Sequence, residues 1–97
     1  MYEEGVGIEI DSDEARRWYE EASQKGHAEA CFKMGEMYRK GQGVPKDEQE
    51  AVIFYKKAAE LGYGLANNKL GWMYQHGVGV EQNEQQALRY YAQGAGI

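Results

Sequence analysis

The chain repeats itself every 36 residues, and this period constrains its fold more than any other feature. No insertion or deletion is needed to bring the units into register. Ten of the thirteen glycines follow the period: Gly5, Gly41 and Gly77; Gly7, Gly43 and Gly79; Gly26 and Gly62; Gly35 and Gly71. A fixed period of about 20–50 residues is typical of solenoids, in which each unit buries its apolar face against its neighbours.

One helix of each unit is indicated by its polar start and its apolar face. Good N-cap residues stand at Asp11, Asp47 and Asn83, and a Glu or Gln follows each of them three residues later, as in a capping box. Apolar residues then recur at the spacing of one helical face, for example at Ala51, Phe54, Tyr55 and Ala58. Gly26 and Gly62 stand just past the predicted helix ends, where a left-handed residue is expected.

The other helix of each unit is predicted over residues 28–40 and again over 65–76. Its apolar stripe is Ala30, Met34, Met37 and Tyr38, matched by Ala66, Leu70, Met73 and Tyr74. Gly35 and Gly71 fall within these helices, where glycine costs about 1 kcal/mol relative to alanine, so we expect a packing reason for them. The sequence therefore predicts an all-α fold, an α/α solenoid of antiparallel helix pairs.

The residues of one unit resemble the Sel-one-like repeat, a relative of the tetratricopeptide repeat with a longer loop. The resemblance runs from Ala28 through Gly35, Tyr38, Gly41 and Gly43 to Asp47, and continues from Ala51 to Ala59. It implies a tetratricopeptide-like superhelix forming one domain over residues 1–97, with a partial unit at 1–26, a full unit at 27–62 and a nearly full unit at 63–97. The last unit departs from the pattern at Asn68, Glu81 and Gly94.

The register also indicates an incomplete stack. Met1 aligns with Met37, so the helix predicted over residues 11–25 lacks the first helix of its own unit. The chain is then either a fragment of a longer array or a complete small protein. In the second case, self-association through the terminal repeats is expected, because each aromatic side chain buried contributes about 2 kcal/mol.

A partner-binding groove follows from the resemblance, since the first helix of each tetratricopeptide pair lines the concave surface. The residues opposite the apolar stripe would line it: Glu29, Phe32, Glu36, Arg39, Lys40, Leu65, Asn68, Trp72, Gln75 and His76. Phe32 and Trp72 either pack between neighbouring repeats or act as aromatic anchors for a partner. Arg39 and Lys40 either hold an acidic segment or a peptide carboxylate, or form a solvated helix end that the dipole favours.

Composition excludes several other classes of function. A net charge of −5 without a basic patch disfavours nucleic acid, and no apolar run is long enough for membrane insertion. The two histidines, His27 and His76, have no Cys or carboxylates at ligand spacing, so neither a metal nor a cofactor is expected. The serines have no adjacent base, so no catalytic residue is assigned. The single cysteine and the absence of a secretory signal slightly favour the cytoplasm, although the compartment stays open.

The function that these observations favour is a protein–protein interaction scaffold or adaptor, not an enzyme. Its partner would be a protein or peptide segment in the groove between the first helices. Two alternatives stay open: a binder of small molecules or cell-wall fragments, and a structural part of a longer repeat array. The first would require a closed polar pocket with a perturbed titratable group.

Overall fold

A computed structural model of the chain describes residues 12–94, which form five α-helices and no strand. The helices are α1 (Ser12–Gln24), α2 (Ala28–Lys40), α3 (Glu48–Glu60), α4 (Gly64–His76) and α5 (Glu84–Gly94). Each helix packs against the helices that precede and follow it, and the contacts of α2 with α3 and of α4 with α5 are the most extensive. The predicted all-α solenoid is confirmed.

The start of α3 is fixed by Asp47, whose Oδ1 accepts a hydrogen bond from the backbone N–H of Glu50 at 3.1 Å. The backbone N–H of Asp47 donates at 2.9 Å to the carbonyl of Tyr38 in α2, the first helix of the same pair. The cap residue therefore ties the start of α3 to the end of α2. The same two bonds recur in the next unit, from Gln86 N–H to Asn83 Oδ1 and from Asn83 N–H to the Tyr74 carbonyl. The predicted cap at Asp11 lies outside the described residues.

The glycines within α2 and α4 each lie against a tyrosine ring of the following helix. A Cβ added at Gly35 would lie 2.8 Å from Cδ1 and Cε1 of Tyr55, and one at Gly71 would lie equally close to those atoms of Tyr91. Real Cβ atoms do not come so near to a ring carbon. The packing reason expected for these two glycines is thus confirmed, and the aromatic ring fills the space that glycine leaves.

Gly79, in the loop between α4 and α5, makes a close contact between successive repeats. Its φ is +74°, and a Cβ there would lie 2.5 Å from the carbonyl oxygen of Glu48 and 3.0 Å from Cγ2 of Val52, both in α3. The loop of one unit therefore rests directly on the second helix of the unit before it. Val52 is buried beneath this loop, whereas Leu88, its equivalent in α5, is 67% exposed.

The core is centred on the middle of the described stack. Tyr55, Leu70 and Met73 are fully buried, together with three alanines and Cys31. The face predicted for each second helix is buried most completely in α3, while Trp18 of α1 is 71% exposed. Burial of this order, at about 25 cal/mol per Å² of apolar surface, is what holds the helix pairs together.

Candidate partner-binding groove

An open groove of about 490 Å³ runs between α2 and α4. Two of its lining residues come from α2, four from α4 and one from α5, so three helices position it. The lining residues are Phe32, Arg39, Leu65, Asn68, Lys69, Trp72 and Tyr91. The volume lies within the range of about 300–1,000 Å³ that is usual for ligand sites in proteins.

The floor of the groove is a packed aromatic cluster. Phe32 is only 8% exposed, and its ring lies 5.4 Å from that of Tyr55 and 5.0 Å from that of Tyr63, tilted by about 50° in both cases. Tilted pairs at these distances are favourable because the positive edge of one ring meets the negative face of the other. The floor is therefore a rigid surface on which the exposed lining residues stand.

Two large apolar side chains of α4 are left exposed in the groove. Trp72 is 44% exposed and Leu65 is 56% exposed. The indole of Trp72 leans on His76, one helical turn away, with ring centroids 4.6 Å apart. Contact with His76 restricts the rotamers of Trp72, so less conformational entropy would be lost when a partner covers the indole.

A cluster of charges lies at the α2 side of the groove. Glu36, whose side chain is 18% exposed, is approached by Arg39 at 2.9 Å, by Lys40 at 3.8 Å and by Lys69 of α4 at 3.9 Å. One carboxylate thus faces three cations. Arg39 is held further by its Nε, which donates to the hydroxyl of Tyr55 at 3.3 Å. With one carboxylate and three cations, the four side chains carry a net charge of about +2.

Tyr55 is an anchor of this arrangement rather than a reactive phenol. Burial of its ring raises the pKa of the hydroxyl to about 12, and the hydrogen bond from Arg39 opposes that shift without cancelling it. The hydroxyl is therefore neutral over the whole physiological range. It offers Arg39 an acceptor and does not serve as an acid or base near pH 7.

The ten residues predicted for the groove lie in several different places in the structure. Five of them line it: Phe32, Arg39, Leu65, Asn68 and Trp72. Glu36 and Lys40 belong to the charge cluster beside it, His76 supports Trp72, and Gln75 accepts a hydrogen bond from the Tyr91 hydroxyl at 3.0 Å. Of the two rings singled out from the sequence, Phe32 is packed in the core and Trp72 is exposed.

Glu29 lies away from the groove, in a second hollow of about 450 Å³ between α1 and α2 that Trp18 and Lys33 also line. Glu29 and Leu65 occupy equivalent positions in their units, and each lines the hollow that precedes its own helix. The structure therefore places Glu29 in a different hollow from Trp72, because periodicity gives the face of a residue and not the hollow that it borders.

Two lining residues were missed by the sequence reasoning, Lys69 and Tyr91. Lys69 lies next to the residues predicted for the groove, and its side chain reaches across to Glu36 of α2. This contact depends on how closely the two helices approach each other. Tyr91 is the equivalent of Tyr55 in the next unit, but it is half-buried and borders the groove. Because Tyr91 lies 36 residues after Tyr55, its contact with α4 could be predicted, but the partial exposure of its side chain could not.

The described residues contain no group of three or more His, Cys, Asp and Glu side chains close enough to hold a metal ion. Across the same part of the chain, none of the helices has both the length and the apolar character that crossing a membrane requires.

Cys31 is fully buried, and its Sγ lies 3.0 Å from the hydroxyl of Ser23.

Stacked helix pairs with a groove between successive first helices define an α-helical repeat protein. The sequence profile of the Sel1 repeat matches residues 1–27, 28–63 and 64–95, and the chain belongs to the Sel1 repeat family. The resemblance seen in the sequence is thereby confirmed. A search of curated proteins gave no match.

Solved structures of three bacterial repeat proteins are similar to this chain. A Sel1 repeat protein from Oxalobacter formigenes has 38% identity and a TM-score of 0.88, with 95% of this chain and 38% of that one covered. A protective antigen, c5321, of uropathogenic Escherichia coli strains has 36% identity and a TM-score of 0.89, with 95% and 20% covered. Cysteine rich protein B of Helicobacter pylori has 27% identity and a TM-score of 0.86, with 89% and 65% covered.

This chain thus spans between a fifth and two thirds of the lengths of those proteins. The Sel1 repeat fold is commonly a protein-interaction module, and proteins built from it are typically scaffolds without catalysis.

Proposed function

We propose that this chain is a protein–protein interaction scaffold that holds a segment of a partner protein in the groove between α2 and α4, without catalysing a reaction. The observation that carries the proposal is Trp72, a large ring left 44% exposed above a rigid floor. Tryptophan is among the residues that dominate binding energy at protein interfaces when it becomes fully covered. Leu65, also exposed, extends the same apolar surface along α4.

The shape of the groove supports a chain segment rather than an enclosed small molecule. The groove is open rather than enclosed, and its lining is mainly apolar, with polar groups at Arg39, Asn68 and Lys69. Burial raises the pKa of the Tyr55 hydroxyl to about 12, away from neutral pH. These features do not favour a function in binding small molecules or cell-wall fragments, which would require a closed polar pocket.

The two tryptophans of the chain allow a matched test. Trp18 and Trp72 are both exposed, but Trp18 lies between α1 and α2 whereas Trp72 lies in the groove. Peptides selected from a random display library on the natural chain would be titrated against Trp72→Ala and Trp18→Ala. Circular dichroism and the unfolding midpoint would verify that each variant is folded.

We expect the selected peptides to bind Trp18→Ala as they bind the natural chain and to lose at least about tenfold in affinity for Trp72→Ala, the usual effect of truncating an interface anchor. Equal affinity for both variants would place the binding surface outside the groove. A loss confined to Trp18→Ala would move it to the hollow between α1 and α2. Either of these two results refutes the proposal.

A further inference from the structure

We infer that the segment held in the groove is acidic, with carboxylates that pair with Arg39 and Lys69 and an apolar side chain that covers Trp72. This inference rests on the proposed function and specifies the chemistry of the partner. Arg39, Lys69 and Trp72 all line the same groove. The groove therefore offers cationic and apolar contacts together to a single bound segment.

The local charge is opposite to that of the whole chain. The chain has a net charge of −5, yet its groove is lined by two cations, and no Asp or Glu is among the described lining residues. The nearest carboxylate, Glu36, is shared among three cations. Because the Debye length is about 10 Å at 0.1 M salt, distant acidic residues are screened at the groove and the adjacent cations decide which charge it attracts.

Both cations retain the capacity to bind a further carboxylate. Arg39 uses its Nε for Tyr55 and its Nη2 for Glu36, which engages two of the five N–H donors of a guanidinium. These two bonds also fix its position, so little entropy is lost when a third partner arrives. Lys69 lies 3.9 Å from Glu36, beyond hydrogen-bond distance, and its side chain is 37% exposed.

The pair formed by Glu36 and Arg39 is not required by the repeat itself. The next unit is built on the same glycines and tyrosines, but there Trp72 stands at the position of Glu36 and Gln75 at that of Arg39. In that unit the Tyr91 hydroxyl donates to Gln75, as Tyr55 accepts from Arg39 here, so a neutral amide meets the structural need. The charge of Arg39 is therefore left to be explained by what the groove binds, whereas Lys69 has a counterpart at Lys33.

The test uses three synthetic peptide sets of equal length, each with one Trp or Leu at varied positions. The remaining residues are Asp and Glu mixed with Ser in the first set, Lys and Arg mixed with Ser in the second, and only Ser and Gly in the third. Binding would be measured by fluorescence anisotropy for the natural chain, Lys69→Gln, Lys69→Arg, Arg89→Gln and Trp72→Ala. Arg89 is an exposed cation of α5 outside the groove, so Arg89→Gln removes the same charge elsewhere. An oligothymidine strand serves as an anionic probe without carboxylates.

We expect the acidic set to bind, with affinity reduced about tenfold by Lys69→Gln and preserved by Lys69→Arg and Arg89→Gln, as for a charge-assisted contact. Raising the salt from about 0.05 M to about 0.5 M should weaken the acidic set and leave the neutral set unchanged. Preferential binding of the basic or neutral set would overturn the inference, as would equal binding of oligothymidine. In that case a loss with Trp72→Ala would still support the groove as the binding site, whereas binding of every set unchanged by Trp72→Ala would refute the proposed function as well.

Discussion

Replacing Gly35 by alanine tests whether the approach of α2 to α3 depends on the missing side chain. In an ordinary helix interior, this change stabilises by about 1 kcal/mol through helix propensity. Here the new Cβ would lie 2.8 Å from two ring carbons of Tyr55, which is fully buried and has nowhere to move. Overpacking of a well-packed core costs about 1–3 kcal/mol. With the ring unable to move, we take the clash at the upper part of that range, about 2–3 kcal/mol. After subtraction of the propensity gain, Gly35→Ala should lower the free energy of unfolding by about 1–2 kcal/mol.

The sign of the effect should reverse when the ring is removed. In a Tyr55→Leu background the clash with the new methyl group is relieved, and Gly35→Ala should raise the free energy of unfolding by up to about 1 kcal/mol. Urea denaturation of the four proteins, followed by circular dichroism, gives the double-mutant cycle directly. A coupling energy of about 2–3 kcal/mol between the two positions is expected from the packing argument.

Gly71→Ala provides the matched comparison, since its Cβ would lie equally close to Tyr91. Tyr91 is half-buried and can turn away, so clash and propensity should nearly cancel, with a net change within about 0.5 kcal/mol. The reasoning is refuted by a stabilised Gly35→Ala protein in the natural background. It is equally refuted by identical effects at the two glycines, because burial of the facing ring would then be irrelevant.

Three further outcomes are expected. Asp47→Ala removes the acceptor for Glu50 N–H and should cost about 1 kcal/mol in urea denaturation, whereas an effect below about 0.3 kcal/mol would show that the cap is dispensable. Because the folded state holds the pKa of Tyr55 near 12, unfolding releases its proton between pH 10 and 12, so the natural chain should lose about 1–2 kcal/mol more stability over that range than Tyr55→Phe. Parallel pH profiles of these two proteins would contradict the shift. Cys31, fully buried, should react with a maleimide only as fast as the chain opens, and the rate should rise steeply in urea; rapid labelling of the native chain would show that α1 opens readily.

The fold followed from the sequence because a solenoid uses local information repeatedly. Asp47 and Asn83 cap α3 and α5 in the same way, and the 36-residue register places Gly35 against Tyr55 in a contact that Gly71 and Tyr91 reproduce. A full capping box would also have the Glu50 side chain accept a hydrogen bond from the backbone N–H of Asp47. The N–H of Asp47 binds the Tyr38 carbonyl instead, since the loop returns the chain to the end of α2.

The groove could be predicted only in part. Residues on the first helices were placed on the right face by periodicity, and five of the ten line the groove. Glu29 borders a different hollow and Lys69 was missed, because which helices border a hollow depends on how α1, α2 and α4 are spaced. Phe32 is buried, whereas Trp72 is exposed. Sequence spacing alone does not distinguish a ring that packs into an aromatic cluster from one that lies above it.

The contact of Gly79 with α3 has a consequence for how such chains can change. The loop of one unit meets the carbonyl of Glu48 through its own backbone, so the alignment of successive units does not depend on the side chains exposed in the groove. Within this chain, Glu36 and Arg39 of one unit are already replaced by Trp72 and Gln75 in the next, with the glycines unaltered. Mutation can therefore alter the chemistry of the groove one unit at a time while the geometry of the array is inherited unchanged.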